Sequence, residues 1–216
     1  MEAASGVVKG KSRFGFRDFT LGDFPLLLSF VLTFHTASEE DIPALRTLAT
    51  HIWGECYEGI ISREQMAYML EWMYSAETMR REISEGVLWE IVRLDGRDAG
   101  YCSVTFGAED VAKLNKLYLL PMLQGQGHGQ AMLARVFALA ETRAAKEVRL
   151  QVNKANVRAL RAYERFGFAR IEEGVFDIGG GYVMDDYILS KPVAASPGAT
   201  YFCEKPDIFR VETPEL

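Results

Sequence analysis

Two periods of apolar residues alternate along this chain, and each change of period marks a change of element. Residues 29–36, 88–93, 99–107 and 113–120 are strand-like runs rich in β-branched and aromatic side chains. Ala44, Leu45, Leu48 and Ile52 instead recur at helical spacing. They follow Ser38-Glu39-Glu40-Asp41, a capping box that opens a helix to about Trp53. A second box, Ser62-Arg63-Glu64-Gln65, opens a helix carrying Met66, Met69, Leu70 and Met73. A further helical stretch runs from Ala76 to near Gly86. Asp95-Gly96 predicts a hairpin between strands 88–93 and 99–107. Later, residues 147–152 alternate like a half-buried strand, and 157–166 are helical, with Gly167 where a left-handed C-terminal cap belongs. Phe168 starts another strand, and residues 182–190 form the last.

The junction between strand 113–120 and the next helix carries the chemistry. Residues 117–129 read Leu-Tyr-Leu-Leu-Pro-Met-Leu-Gln-Gly-Gln-Gly-His-Gly: an apolar strand, a proline break, then a glycine-spaced turn. Ala131, Met132, Leu133, Val136, Phe137, Leu139 and Ala140 follow on one helical face. Glycines let the main chain approach a phosphate closely, and the first N–H groups of the helix point at it with the favourable end of the dipole. A phosphorylated ligand is expected here. A Walker loop is excluded, because Gly129 is followed by Gln130-Ala131 rather than Lys-Ser or Lys-Thr. The Gly125, Gly127, Gly129 spacing also departs from the dinucleotide fingerprint.

Read from Gln124, the turn is Gln-x-x-Gly-x-Gly, which resembles the pyrophosphate-binding signature of the GNAT superfamily of acetyl-CoA-dependent N-acetyltransferases. A second segment, Asn156-x-x-Ala159-x-x-x-Tyr163-x-x-x-Gly167-Phe168, resembles the other recurring GNAT segment and begins 27 residues after Gly129. The order of strand, helices, three strands, helix, strand, helix and two strands is that of the same family. The resemblance covers roughly residues 28–191. It implies an α+β fold: a mixed, mostly antiparallel sheet with helices on both faces. Residues 1–27 read as an extension before this domain. Residues 192–216, with Pro192, Pro197, Pro206 and Pro214, read as an irregular tail.

The resemblance also implies roles. Backbone N–H groups of Gln124, Gly125, Gln126, Gly127, His128, Gly129 and Gln130 would cradle the pyrophosphate of acetyl-CoA. The main chain of Leu117, Tyr118 and Leu119 would pair with the pantetheine amides and polarise the thioester carbonyl. Asn156 would bind the pantetheine arm, and Tyr163 would protonate the departing thiolate. Taken alone, Asn156 also reads as a plain N-cap and Tyr163 as a core aromatic, while Gln126 and His128 read as exposed loop side chains. A primary amine, protonated at neutral pH because its pKa is about 10.4, needs a base. Strand residues Lys113-Leu114-Asn115-Lys116 offer no carboxylate. Glu55, Glu58, Asp185, Asp186, His51 and His35 are substitutes that the sequence does not rank.

The implied reaction moves an acetyl group from acetyl-CoA to a primary amine by direct attack in a ternary complex. An acyl-CoA-binding regulator without turnover, and an interaction domain in which the glycine turn is only a turn, stay open. Residues 51–61 mix aromatics with acids, as a pocket for an organic cation would, or simply pack the helices on the sheet. The expected acceptor is a small-molecule or peptide amine, and a homodimer is compatible with the reading.

Composition narrows the class. The chain has 216 residues, 49% of them hydrophobic and 25% charged, which suits one globular domain. A net charge of −6 argues against nucleic acid as a partner. Cys56, Cys102 and Cys203 are odd in number and lack metal spacing, which points to reduced thiols, a cytoplasmic setting and no metal. Basic residues before Phe24-Pro-Leu-Leu-Leu imitate a signal peptide, but cleavage after that apolar run would remove the first strand. No membrane association is expected.

Overall fold

Strand-like and helical stretches fold into a twisted sheet sandwiched between two groups of helices. The computed structural model describes residues 30–107, 110–193, 202–205 and 208–211. The expected extension 1–27 lies outside them.

Strand β1 (Phe30–Thr36) leads into the Ser38 box, where Ser38 Oγ accepts from Glu40 and the Asp41 carboxylate accepts from the Ser38 N–H at 2.9 Å. The box closes a single 3-10 turn, after which α1 (Ile42–Cys56) begins with proline in its first turn. Before α2 (Arg63–Tyr74), Ser62 Oγ accepts from the Gln65 N–H at 3.0 Å. The Gln65 side chain does not complete the expected box. Its Nε2 donates instead to the Val183 carbonyl at 2.9 Å, because a late hairpin packs against α2 and offers that acceptor.

After α3 (Ala76–Ser84) come β2 (Leu88–Leu94) and β3 (Arg97–Phe106), joined through Asp95 and Gly96 with φ of 50° and 78°. Two positive φ values make the two-residue turn whose twist suits a hairpin. Then follow β4 (Val111–Leu119), α4 (His128–Thr142), β5 (Glu147–Asn153), α5 (Val157–Phe166), β6 (Ala169–Gly179) and β7 (Tyr182–Pro192). Gly167 caps α5 with φ 97°, a value that disfavours any side chain.

The strand order is β6-β7-β5-β4-β3-β2-β1, continued by β9 (Ile208–Val211) and β8 (Phe202–Lys205). Among the described residues only the β4–β5 pairing is parallel, and α4 is its crossover. The sheet is therefore mixed and mostly antiparallel. The expected irregular tail needs correction. β9 pairs with β1 from Phe30↔Val211 to Thr33↔Ile208, and β8 pairs with β9. Four-residue strands beside prolines carry almost no periodic signal. They form against the backbone groups that β1 would otherwise leave open at a sheet edge.

Helices cover both faces. On one side α4 and α5 bury Leu133, Val136, Leu150 and Phe168. On the other, α1, α2 and α3 bury Trp53, Tyr74, Trp89 and Tyr101. Helix α4 is also tied to β2 by a buried ion pair, with Arg135 Nη2 2.6 Å and Nε 3.1 Å from Glu90 Oε1. No helix among the described residues is long and apolar enough to cross a membrane.

Candidate active site

A bulge in β4 organises the site. The β3–β4 register runs Ser103↔Lys116 and then Val104↔Leu114, so Asn115 is an extra residue on β4. One extra residue inverts the alternation of side chains. Ala112 and Leu114 face the α4 core before the bulge, and Leu117 and Leu119 face it afterwards. Lys116 and Tyr118 are thereby turned toward the aromatic core under α1, α2 and α3.

The parallel register between β4 and β5 ends at the same place, with Leu114↔Leu150 as its last pair. From there to Leu119 the β4 main chain has no β5 partner in the register. It can offer amide donors and acceptors to an extended ligand, as a sheet edge does.

The chain then makes a 3-10 turn at Pro121–Leu123 and passes Gly125 and Gly127, with φ of 82° and 88°. Both values favour glycine. Gly127 is the N-cap of α4, and no side chain caps that helix. The N–H groups of His128 and Gly129 are thus available to an anion beside the positive end of the helix dipole. Those of Gln124 and Gln130, also expected in the cradle, already donate to the Pro121 and Gly127 carbonyls at 3.2 and 2.9 Å. A Cβ built at Gly129 meets nothing within 4 Å. The turn and the β4–β5 divergence open into one cleft of about 1310 Å³, lined by Leu117, Tyr118, Gly127, Asn156, Tyr163 and Asp186 among others.

Within this frame the side chains take distinct parts. Gln124 Nε2 donates to the Leu119 carbonyl at 2.8 Å and lies 3.4 Å from Cys56 Sγ, so its side chain locks the end of β4 to α1. Gln126 Nε2 closes the loop on the Met122 carbonyl at 2.9 Å. Gln130 Nε2 donates to Ala162 at 3.0 Å and ties the first turn of α4 to α5. His128 is not an exposed loop residue: it begins α4, turns into the protein and is 1% exposed. Burial lowers its basicity against the attraction of Asp95.

Asn156 caps α5, its Oδ1 accepting from the Ala159 N–H at 3.1 Å. Its amide nitrogen is left as the donor that can meet a ligand carbonyl. Tyr163 is half-buried, with its ring edge-on to Phe168 at 5.7 Å between centroids. Burial, reinforced by Tyr57, pushes its phenol well above the ordinary range. The phenol therefore stays protonated at neutral pH.

The carboxylates and histidines sort by environment. His35 pairs with Asp41 at 3.3 Å and His51 with Glu55 at 3.8 Å, all of them solvent-accessible. Glu58 is exposed, and Asp185 pairs with Lys154 at 2.7 Å. Asp186 differs: it is 4% exposed and lines the cleft. Its Oδ2 accepts from Gln151 Nε2 at 2.8 Å, while Oδ1 is buried without a hydrogen-bond partner among the described residues. An unsatisfied buried acceptor costs about 1–3 kcal/mol, so its retention calls for a functional reason. Sequence gave no sign of this burial, because Asp186 borders another aspartate in an ordinary strand.

Lys116 was also missed as a buried group. It lies 4.6 Å over the Trp89 ring and 3.5 Å from Glu82, and burial lowers its basicity. Its signal was the broken alternation around Asn115.

The acetyltransferase (GNAT) family model matches residues 47–168, more than half of the chain. The chain belongs to this family. An uncharacterised N-acetyltransferase of Mycobacterium tuberculosis is 37% identical over 97 residues, which are 45% of this chain and 62% of that protein. A Mycobacterium bovis counterpart matches equally. The match thus spans about three fifths of these curated relatives. The PaiA N-acetyltransferase of Thermoplasma acidophilum, solved in complex with coenzyme A, is 25% identical with a TM-score of 0.63, over 74% of this chain and 98% of that one. The ribosomal-protein-S18-alanine N-acetyltransferase of Escherichia coli shares the fold at 20% identity and a TM-score of 0.59, over 79% of this chain and 99% of that one.

Proposed function

We propose that this protein is an N-acetyltransferase that moves the acetyl group of acetyl-CoA to a primary amine by direct attack in a ternary complex. One observation carries the reading. The unpaired edge of β4 beyond Leu114 leads straight to the uncapped N-terminus of α4. A pantetheine arm along Leu117–Leu119 and a pyrophosphate held at Gly125–Gly129 fit these two features in that order. The coenzyme A complex of the Thermoplasma relative supports the ligand.

In this reading the first-turn amides of α4 neutralise the pyrophosphate, and β4 amides near Leu117 and Tyr118 polarise the thioester carbonyl. The Asn156 amide nitrogen orients the pantetheine arm. The Tyr163 hydroxyl, protonated at neutral pH, donates to the sulfur as it departs. The acceptor is a small-molecule or peptide amine. The free thiols of Cys56 and Cys102 suit a reducing, cytoplasmic setting.

Calorimetric titration with acetyl-CoA, followed by thiol detection with a panel of primary amines, tests the proposal. Saturable binding and amine-dependent thiol release are expected. Binding without release from any amine would leave a CoA-binding regulator, and no binding at high micromolar acetyl-CoA would remove the cofactor site altogether.

A further inference from the structure

Among the carboxylates that line the cleft, Asp186 is placed unlike the others. Glu55 is more than half exposed, and Glu82 is engaged by Trp89 Nε1 at 3.0 Å and by Lys116. Asp186 sits on β7 opposite Asn153, at the end of β5 where β5 has already parted from β4. Its side chain shares a face with Gln151 and with Met184 of the aromatic core, on the opposite side of the sheet from Tyr163. On the Asp186 face, the Tyr57 hydroxyl is 2.9 Å from Tyr118 Oη on β4, and the nearby Asp186 charge adds to the burial that raises the Tyr57 pKa.

We infer that Asp186 is the general base that takes the proton from the acceptor ammonium, with Gln151 as the residue that positions it. This inference rests on the transferase reading above. Oδ1, buried and without a hydrogen-bond partner among the described residues, is the atom that receives the proton, and Oδ2 is held by Gln151. The ammonium gives one proton to Oδ1, and the neutral nitrogen attacks the thioester carbon. The C–N bond forms and the C–S bond breaks. The thiolate takes its proton from Tyr163, which recovers one from the nitrogen of the collapsing intermediate, and Asp186 returns its proton to solvent. One proton is released per amide formed.

Burial raises the Asp186 pKa, while Gln151, Asn153 and the charge of Lys154 oppose that rise and Asp185 adds to it. Tyr57, which caps the C-terminus of α1, is the other titratable group against it, and burial keeps that phenol neutral at physiological pH. A base poised closer to neutrality takes a proton from an ammonium more effectively than an exposed aspartate. The walls of the cleft that Asp186 lines also include Met69, Met73, Trp72, Phe176 and Met184, which suits an amine carried on an apolar body.

The test uses the full chain, acetyl-CoA, and spermidine, phenethylamine, an alanyl peptide amide or water alone as acceptors. Asp186→Asn is expected to bind acetyl-CoA within about twofold of wild type, yet to release thiol about 10²-fold more slowly at neutral pH. The gap should narrow toward pH of about 10, where the amine loses its proton unaided. Asp186→Glu should recover part of the rate. An Asp186→Asn rate within about threefold of wild type at every pH overturns the base and leaves the transferase reading intact. A wild type that binds no acetyl-CoA, or releases no thiol with any of these acceptors, overturns both. If Asp186→Asn fails to fold, Gln151→Ala decides. Loss of that hydrogen bond should move the acid limb of the rate profile to higher pH, and an unmoved limb overturns the assignment.

Discussion

The hydroxyls of Tyr57, at the C-cap of α1, and Tyr118 on β4 lie 2.9 Å apart, and they bind the helical layer to the strand that borders the cleft. Their rings also flank Trp53, at 4.6 Å from Tyr57 and 5.6 Å from Tyr118. Burial pushes the Tyr57 phenol up to about 12 from an ordinary value of 10.0.

That shift has a sign. Between the two values the unfolded chain has already given up the phenolic proton and the folded chain has not, so stability falls as pH rises. The contribution is fully present below pH of about 10 and is lost progressively toward 12, to the extent of about 3 kcal/mol. Urea unfolding across this window should show a steeper alkaline decline in wild type than in Tyr57→Phe. Parallel declines would mean that Tyr57 ionises in the folded state as readily as in the unfolded.

Gly127 holds φ 88° at the N-cap of α4. A β-branched side chain there is strained and also screens the amides from an anion. Acetyl-CoA at a hundredfold excess over its dissociation constant should stabilise wild type by about 2.7 kcal/mol. Gly127→Val should fold, at reduced stability, and show little of that gain in a melting experiment. An undiminished ligand-induced shift would place the pyrophosphate elsewhere.

Tyr163→Phe keeps the edge-on contact with Phe168 and removes only the hydroxyl. Loss of a general acid lowers turnover by about 10²-fold or more. We expect that loss in kcat with acetyl-CoA affinity retained in titration. A rate within twofold of wild type would assign the proton to water, and equal losses of rate and affinity would make Tyr163 a cofactor contact.

Glu90 and Arg135 form a buried pair between β2 and α4. Removing one partner strands the other in a low-dielectric interior, at a cost of about 3–5 kcal/mol. Glu90→Ala should lower the denaturation midpoint by an amount of that order. Replacing both residues, as Glu90→Leu with Arg135→Met, should recover much of it. A double variant no better than the single one would show that Arg135 is anchored chiefly by other groups.

Local patterns in the chain were enough to place most elements. The Asp95-Gly96 hairpin, the Gly167 cap and the spacing from Gln124 to Gly129 are short-range signals, because glycine and turn chemistry act within a few residues. The same signals placed the glycine turn at the start of a helix, but not the parting of β4 from β5 after Leu114, which is a matter of register between strands. The base was not legible, since six titratable side chains looked alike until burial separated Asp186 from the rest.

By itself the sequence determined the order of the elements, the two conformationally demanding glycines and the family, because each of these rests on neighbours along the chain. Tertiary structure alone decided the rest. It set the bulge at Asn115 that turns Lys116 and Tyr118 toward the aromatic core, a matter of register against β3. It recruited β9 to β1, because an open strand edge binds whatever segment reaches it. It diverted the Gln65 side chain to Val183 and the Gln124 side chain to Leu119. And it withdrew Asp186 from water, since desolvation is exerted by packed neighbours distant in sequence.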